Sequence, residues 1–373
     1  MRLETLDMLN FKGYEQASLE FPSRINVLVG RNGSGKTNLL DAIYFLSFTK
    51  SAFAAQDKQL IRHEQPFFMV KGKFVDAGAD RTVVGSLQAG SRKTFKVEGV
   101  EYQKLSEHIG QFPVILFDPD DVDLIREGSE PRRRFFDSLI SQVDHQYLDL
   151  LIRYNHHLKQ RNGLLRMGQE RGHVDWVAIE TYDDELARSG QFIFERRRQF
   201  TNEFTPYFIQ HCAFLVSQTE EYSLHYESDV AHQQYRQGLM NSRSRDLATQ
   251  RTSFGIHGDD FLFKMGSHGK AGSHDIKRMG SQGQQKSFVI AMRLAQQEIL
   301  KKYKGFEPIL LLDDIFDKLD DARIDRLLEL IAGDLGQLFI TDARPDRTAA
   351  LLKKAGIESS RFQVSDGKVQ LVT

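Results

Sequence analysis

The chain has 373 residues, 40% apolar and 27% charged, which is enough to bury a full core and long enough to favour two domains over one; a disordered chain and a stapled miniprotein are excluded. Its 50 Lys and Arg against 51 Asp and Glu leave a formal charge of -1, so any nucleic-acid surface must be local. A single cysteine, Cys212, cannot form an internal disulfide, no zinc-type spacing of Cys and His occurs, and no apolar run approaches the ~18 residues of a spanning helix; a reducing, cytoplasmic setting without membrane partners is expected.

Short alternating runs from Leu3 to Phe21 predict two strands around the turn Lys12, Gly13, Tyr14. Ile25 to Val29 reads as a buried strand, followed at once by glycines and by Asn38 to Phe48, where Leu39, Leu40, Ile43 and Leu46 recur at helical spacing. Three β-like runs between Phe67 and Tyr102, punctuated by Gly78, Gly90 and Gly99, predict a meander, and Pro113 to Phe117 a further buried strand. From Pro131 to about Arg166 and from His173 to about His211 the sequence is helical and charged, with a break at Pro206; two helices of ~45 Å would form an arm. Their apolar positions hold no heptad over many turns, which excludes a long coiled coil. An Arg-rich helical stretch covers Gln233 to Arg251, and β character returns at Ser253 to Lys264. A strong helix follows Gly283, and the buried strands Ile309 to Leu312 and Gln337 to Ile340 flank a helix from Asp321 to Ile331.

The run Gly30, Arg31, Asn32, Gly33, Ser34, Gly35, Lys36, Thr37 satisfies the phosphate-loop pattern, and it lies between a buried strand and a helix, where that pattern has mechanical meaning. The glycines let backbone N–H groups wrap a phosphate, the helix N-terminus adds positive potential, Lys36 reaches the β and γ phosphates of ATP, and Thr37 offers its hydroxyl to Mg2+. Ile309 to Leu312 delivers Asp313 to the carboxyl end of a buried strand, as a second anchor for Mg2+; Asp314 is placed to orient or deprotonate the attacking water. Ser281, Gln282, Gly283 and Gln284 open another helix suited to a γ phosphate, although Ser281 with Gln284 is equally a plain capping box. Two phosphate-binding ends in one chain make a symmetric dimer sharing two ATPs the economical arrangement.

These elements, in this order, resemble the ABC ATPase head, and the motifs NFKGYEQASLEF, GRNGSGKTNLLDAIYFLSFTKSAF, LFDPDDVDLIREGSEPRRRFFD, FGIHGDDFLF, SQGQQKSFVIAMRLAQ and LLLDDIFDKLDDAR resemble the RecF family of SMC-like repair ATPases. The resemblance implies an α/β ABC-type head over 1–118 and 252–373, with a phosphate-loop sheet and an antiparallel β subdomain, and an inserted helical arm over 119–251. It makes Gly30 to Thr37 the Walker A loop, Ser281 to Gln284 the signature that caps ATP across the dimer, Asp313 the Walker B carboxylate, and Asp317 to Asp320 the D-loop at the dimer seam, with Asp320 reaching the nucleotide. Asp314 replaces the usual glutamate one methylene longer, which implies slow hydrolysis, and Thr341 falls in the switch region. Ile256 and Gly258 stand where the family commonly has proline and a basic residue. The implied role is an ATP-driven homodimer clamp on double-stranded and gapped DNA, with a weak, DNA-stimulated ATPase, acting with RecO and RecR to load RecA. Two other readings are a non-catalytic ATP-gated scaffold and a transporter's nucleotide-binding subunit, which would not need the arm.

Residues 126–166 hold 8 Lys/Arg against 5 Asp/Glu and 232–286 hold 9 against 4, so the near-neutral total conceals two modestly basic segments. Arg132, Arg133 and Arg134, and Arg196, Arg197 and Arg198, are the triples expected to reach DNA phosphates from the arm, weighed against solvated helix faces. His156, His157, Cys212 and Trp176 are expected to do no chemistry.

Overall fold

The computed structural model describes residues 1–76, 79–215, 220–267, 274–276, 282–317, 319–344 and 346–372. The chain forms two compact units: Met1–Val122, Phe214–Val216 and Ser281–Thr373 make the first, and Asp123–Ala213 with Ser217–Gly280 the second.

The first unit holds two six-stranded sheets. Strands β1 (Arg2–Phe11) and β2 (Tyr14–Glu20) pair across the expected turn, where Lys12 takes a left-handed φ of 49°. With β4 (Phe67–Asp76), β5 (Ala79–Gln88), β6 (Thr94–Val97) and β7 (Val100–Glu101) they form an antiparallel sheet ordered β2-β1-β4-β5-β6-β7. Its inward residues alternate, as a sheet with one wet face requires, apart from a register shift between Leu3 and Thr5: Leu3, Leu6 and Met8 on β1, and Phe68, Val70 and Phe74 on β4, are buried. The second sheet is ordered β15-β14-β3-β13-β12-β8, from β3 (Ile25–Val29), β8 (Val114–Phe117), β12 (Ile309–Leu312), β13 (Leu338–Asp342), β14 (Ser360–Ser365) and β15 (Lys368–Val372). Every pairing is parallel except that of β14 with β15. Strands β3, β8, β12 and β13 are buried along their whole length and are apolar except for Asn26, Thr341 and Asp342, as in a sheet covered on both faces.

Helix α1 (Lys36–Phe48) lies in a single apolar cluster with residues of both sheets. It is apolar nearly all round, and Phe45 meets Phe11, Phe68 and Phe95 at ring separations of 5.0–6.1 Å. Gly85 permits this approach, because a Cβ there would sit 2.6 Å from the Phe45 ring.

The second unit contains α2 (Asp123–Arg126), α3 (Ser129–Val143), α4 (His145–Arg171), α5 (Trp176–Leu215, its last residues in the first unit), α6 (Tyr235–Asn241) and α7 (Arg243–Thr249). A three-stranded antiparallel sheet, β11-β10-β9, joins them, from β9 (Glu220–Glu227), β10 (Asp260–Ser267) and β11 (His274–Asp275). The first expected arm helix is thus two: Asp144 has extended backbone, ends α3, and caps α4 by accepting the Tyr147 N–H at 3.0 Å. The expected break at Pro206 does not occur. The N–H that Pro206 lacks would have bonded the carbonyl of Asn202, and both residues lie on the exposed face of the helix.

Helices α4 and α5 run antiparallel in register: Tyr147 bonds Arg197 and Arg161 bonds Asp183, with equal spacing along the two helices. Tyr147, Tyr154, Arg161 and Gly168 are buried at every seventh position of α4, and Ile179, Leu186, Ile193 and Phe200 at every seventh of α5. A heptad is present after all; half of its α4 members are polar or lack a side chain, which hid it from an apolar count.

The expected domain boundary also moves. Residues 252–280 belong with the helical unit instead of the head, because β10 pairs with β9, Phe261 stacks on Phe136 at 4.0 Å, and Asp260 takes the Arg132 guanidinium at 2.8 and 2.9 Å. The arginine triples are mostly internal. Arg197 is buried against Asp137 and Asp259, Arg133 donates to the Asp259 carbonyl at 2.7 Å, and Arg196 pairs with Asp144 at 3.0 Å. Only Arg134 and Arg198 of the six are exposed. Among the described residues no helix is long and apolar enough to cross a membrane.

Candidate nucleotide-binding site

Strand β3 is five buried apolar or amide residues, and it ends where glycines allow a turn no other residue would make. A Cβ on Gly30 would lie 2.2 Å from the Val364 carbonyl oxygen, and Gly35 caps α1 with φ 110°. The loop from Gly30 to Lys36 therefore folds back over the N-terminus of α1, where unpaired N–H groups and the helix dipole favour an anion. Lys36 is 5% exposed, yet its Nζ donates to the carbonyls of Gly30 at 2.8 Å and Arg31 at 3.2 Å. Ser34 Oγ is buried with no hydrogen-bond partner among the described residues. A buried, unsatisfied hydroxyl inside a ring of glycine amides fits a phosphate oxygen.

Thr37, the second residue of α1, donates from Oγ1 to Asp313 Oδ2 at 3.0 Å. Asp313 is reached because β12, β13 and β3 are parallel and end together, the edge at which ligands gather in an α/β sheet. Thr341 on β13 completes the line: its Oγ1 donates to Asp313 Oδ1 at 2.6 Å and accepts the Asp314 N–H at 2.9 Å. Among the described residues no group of three or more His, Cys, Asp or Glu is placed to hold a metal. One hydroxyl and one carboxylate are a donor set for Mg2+, which keeps waters and phosphate oxygens in its shell, and not a full protein cage. Burial, then the Asp313 charge, holds the Asp314 carboxyl above the usual carboxylate range, offset in part by Lys36.

Asp118 escaped the sequence reading. It follows β8, whose Phe117 is in register with Leu312, so Asp118 and Asp313 leave neighbouring strands at the same level. Burial is the main cause that raises its pKa to about 6; the Asp120 amide opposes this, and the charges of Asp121, Asp120 and Asp313 add to it. The signal was available: VILF followed by acid repeats ILLL followed by acid. Its loop is held by Arg293, which pairs with Asp121 from α8 (Gln282–Lys304).

The structure thus gathers Gly30 to Thr37, Asp313, Asp314 and Thr341 into one site. Ser281 lies outside the described residues. Gln282 and Gly283 open α8, where a Cβ on Gly283 would meet Arg323 Nη1 at 2.6 Å. Asp320 is occupied there too: it caps α9 (Asp321–Ala332), accepting the Arg323 N–H at 2.9 Å, and pairs with the Arg323 guanidinium.

A glycine loop at a helix N-terminus, its lysine, and a hydroxyl–carboxylate pair at the end of a parallel sheet, beside an antiparallel subdomain, define a phosphate-loop ATPase head of the ABC class. Residues 2–365 match the family model for the RecF/RecN/SMC N terminal domain. The DNA replication and repair protein RecF of Cytophaga hutchinsonii is 44% identical over 99% of this chain and 97% of its own, and that of Phocaeicola vulgatus 43% identical over 99% and 98%. The chain belongs to the RecF family. It is also similar to the solved structure of the recombination mediator protein RecF with ATP in the RecFOR pathway, at TM-score 0.87 and 27% identity over 100% of this chain and 97% of that one. An Smc head domain from Pyrococcus furiosus, 20% identical at TM-score 0.56 over 99% and 95%, shares the fold.

Proposed function

We propose that this chain binds ATP with Mg2+ at Gly30 to Thr37 and hydrolyses it slowly, that two copies close around ATP as a homodimer, and that the closed dimer clamps double-stranded and gapped DNA. It would act in the cytoplasm with RecO and RecR, loading RecA in recombinational repair. The observation that carries the reading is the hydrogen-bonded line Thr37–Asp313–Thr341 beside the unsatisfied Ser34 hydroxyl. RecF relatives named for replication and repair, and one solved with ATP, support it.

In this reading the loop amides and Ser34 take the phosphates, and Lys36 gives up its two carbonyls for the β and γ phosphates. Thr37 and Asp313 would hold Mg2+, which neutralises charge on the transferring group. Asp314 orients a water and takes its proton as oxygen bonds to the γ phosphorus; the bond to the bridging oxygen breaks, and ADP and phosphate leave. The short Asp314 side chain limits its reach. Ser281 to Gln284 of the second copy would cap the γ phosphate, so hydrolysis reopens the dimer.

Equilibrium ATP binding tests the site: Lys36→Ala should abolish it, and unchanged affinity would remove the assignment. DNA binding over a salt series, with and without ATP, tests the clamp. Ser281→Arg should lose only the ATP-dependent increment, and DNA binding indifferent to ATP would refute the clamp. The scaffold reading draws on one observation, the short Asp314 side chain in left-handed backbone (φ 45°). Multiple-turnover phosphate release, with and without DNA, separates the two.

A further inference from the structure

Next to Asp314 lies a cleft of about 300 Å³ whose walls include Asn32 of the phosphate loop, Asp314, Asp317, Thr341, Asp342 and Arg344. Three of these are carboxylates, and Arg344 is the one cation among the lining residues. Neither the sequence motifs nor the mechanism above uses it. Its position is set by its own backbone: the Arg344 N–H donates to Asp342 Oδ1 at 2.8 Å, and Asp342 Oδ2 in turn accepts the buried Thr348 hydroxyl at 2.5 Å. Asp342 closes β13, the strand that also carries Thr341, so Arg344 is fixed two residues beyond the edge where Asp313 is held.

The guanidinium itself is loosely engaged. Arg344 Nη2 donates to Asp317 Oδ1 at 2.9 Å, among the described residues a single contact, between side chains that are 60% and 54% exposed. Such a solvated pair contributes little net stability. Nor does the loop bearing Asp317 depend on it: the Asp317 N–H bonds the Asp314 carbonyl at 3.0 Å, Arg347 Nη2 holds the Phe316 carbonyl at 3.0 Å, and Lys286 Nζ donates to the Asp317 carbonyl. A planar guanidinium bound to one carboxylate oxygen has a better alternative in the terminal oxygens of a triphosphate, which it can take with two parallel charge-assisted bonds. A phosphate arriving between Asn32 and Asp314 enters a cleft with three acids, where that cation offsets the repulsion.

We infer that Arg344 recognises the terminal phosphate of a nucleoside triphosphate: with ATP bound it leaves Asp317 for the γ phosphate, and with ADP it returns. The inference rests on the reading of the phosphate loop as an ATP site. It also gives Asp317 a changing partner, free of Arg344 only in the triphosphate state.

ATP and ADP affinities measured side by side on the full chain test this, for wild type, Arg344→Ala, Arg344→Lys and Asp317→Ala, with melting curves for each. Arg344→Ala should weaken ATP binding by about 10- to 100-fold and leave ADP binding unchanged. Arg344→Lys should recover part of the preference for ATP. Asp317→Ala breaks the same ion pair from its other end and should keep the wild-type preference. A wild-type ATP to ADP ratio in Arg344→Ala overturns the inference, as does an equal loss of preference in Arg344→Ala and Asp317→Ala, which would make the pair structural. If Arg344→Ala melts early, Arg344→Lys decides: a preference for ATP kept in part or in full, together with the wild-type preference in Asp317→Ala, supports the inference, and its complete loss in Arg344→Lys or an equal fall in both variants overturns it. Wild-type protein that binds neither nucleotide would instead overturn the ATP-site reading itself, a result distinct from loss of preference alone.

Discussion

Thr341→Val isolates the bridge between the two acids after β12. Valine matches threonine in shape, so at this 1% exposed position no cavity opens, and the change removes one hydroxyl and nothing else. That hydroxyl donates to Asp313 at 2.6 Å, a bond to a charged acceptor worth about 1.5–3 kcal/mol, and accepts the Asp314 N–H, whose loss leaves a partly buried amide unpaired at about 1–3 kcal/mol. The two losses share one atom and are not additive, and Thr37 still donates to Asp313; a destabilisation of about 2–4 kcal/mol is expected. Thr341→Ser keeps the hydroxyl and gives up one buried methyl, about 1 kcal/mol. Urea unfolding followed by far-UV circular dichroism measures both, and ATP affinity should fall with Val more than with Ser, because Asp313 is then oriented by Thr37 alone. Val as stable as wild type, or Ser as damaging as Val, would show that the bridge carries no energy.

Gly30→Ala forces a Cβ to 2.2 Å from the Val364 carbonyl; β3 and β14 must part, costing about 1–3 kcal/mol or more in urea unfolding and removing ATP binding with it. His108 is fully buried, its Nε2 bonds the Leu46 carbonyl at 2.6 Å, and burial pushes its pKa down to about 4. The unfolded chain takes up that proton near pH 6.5, so the contribution is fully present above pH 6.5 and is lost as pH falls toward 4, up to about 3 kcal/mol. His108→Gln should flatten the stability profile over that interval, and an unchanged slope would exclude His108 as the source. Arg161→Met leaves Asp246 buried without its cation and Asp183 with Arg243 at 3.8 Å, at about 3–5 kcal/mol. Trp176, the only tryptophan, lies in the same unit and reports that unfolding by its fluorescence.

The head was legible because its signals are local. A buried strand apolar except for Asn26, three glycines and a lysine specify the phosphate loop within a dozen residues, and Asp313 is read from the four apolar residues before it. The helical unit was less so, since its apolar core also encloses charged residues whose partners are distant in the chain. Arg161 and Arg197 count as surface on any hydropathy scale, yet each is buried because carboxylates from other elements meet it. The same blindness turned two arginine triples into an expected DNA surface and hid the α4–α5 heptad. The boundary at 252 failed for a related reason: β10 announces itself as a strand, but nothing nearby states that its partner is β9. Pro206 misled because an interior proline costs a helix one hydrogen bond and a ring clash without always ending it, and this helix continues to Leu215.

Asp314 sits with φ 45°, a region that glycine, asparagine and aspartate enter at small cost and longer side chains do not. The path of the chain therefore helps to choose the acid. Exchanging it for the longer glutamate of other ABC heads would extend the carboxylate toward the water but would set an ill-suited residue in that turn, at a cost of about 1–2 kcal/mol. If the proposed hydrolysis holds, its slowness would be set by a backbone torsion as well as by a side chain.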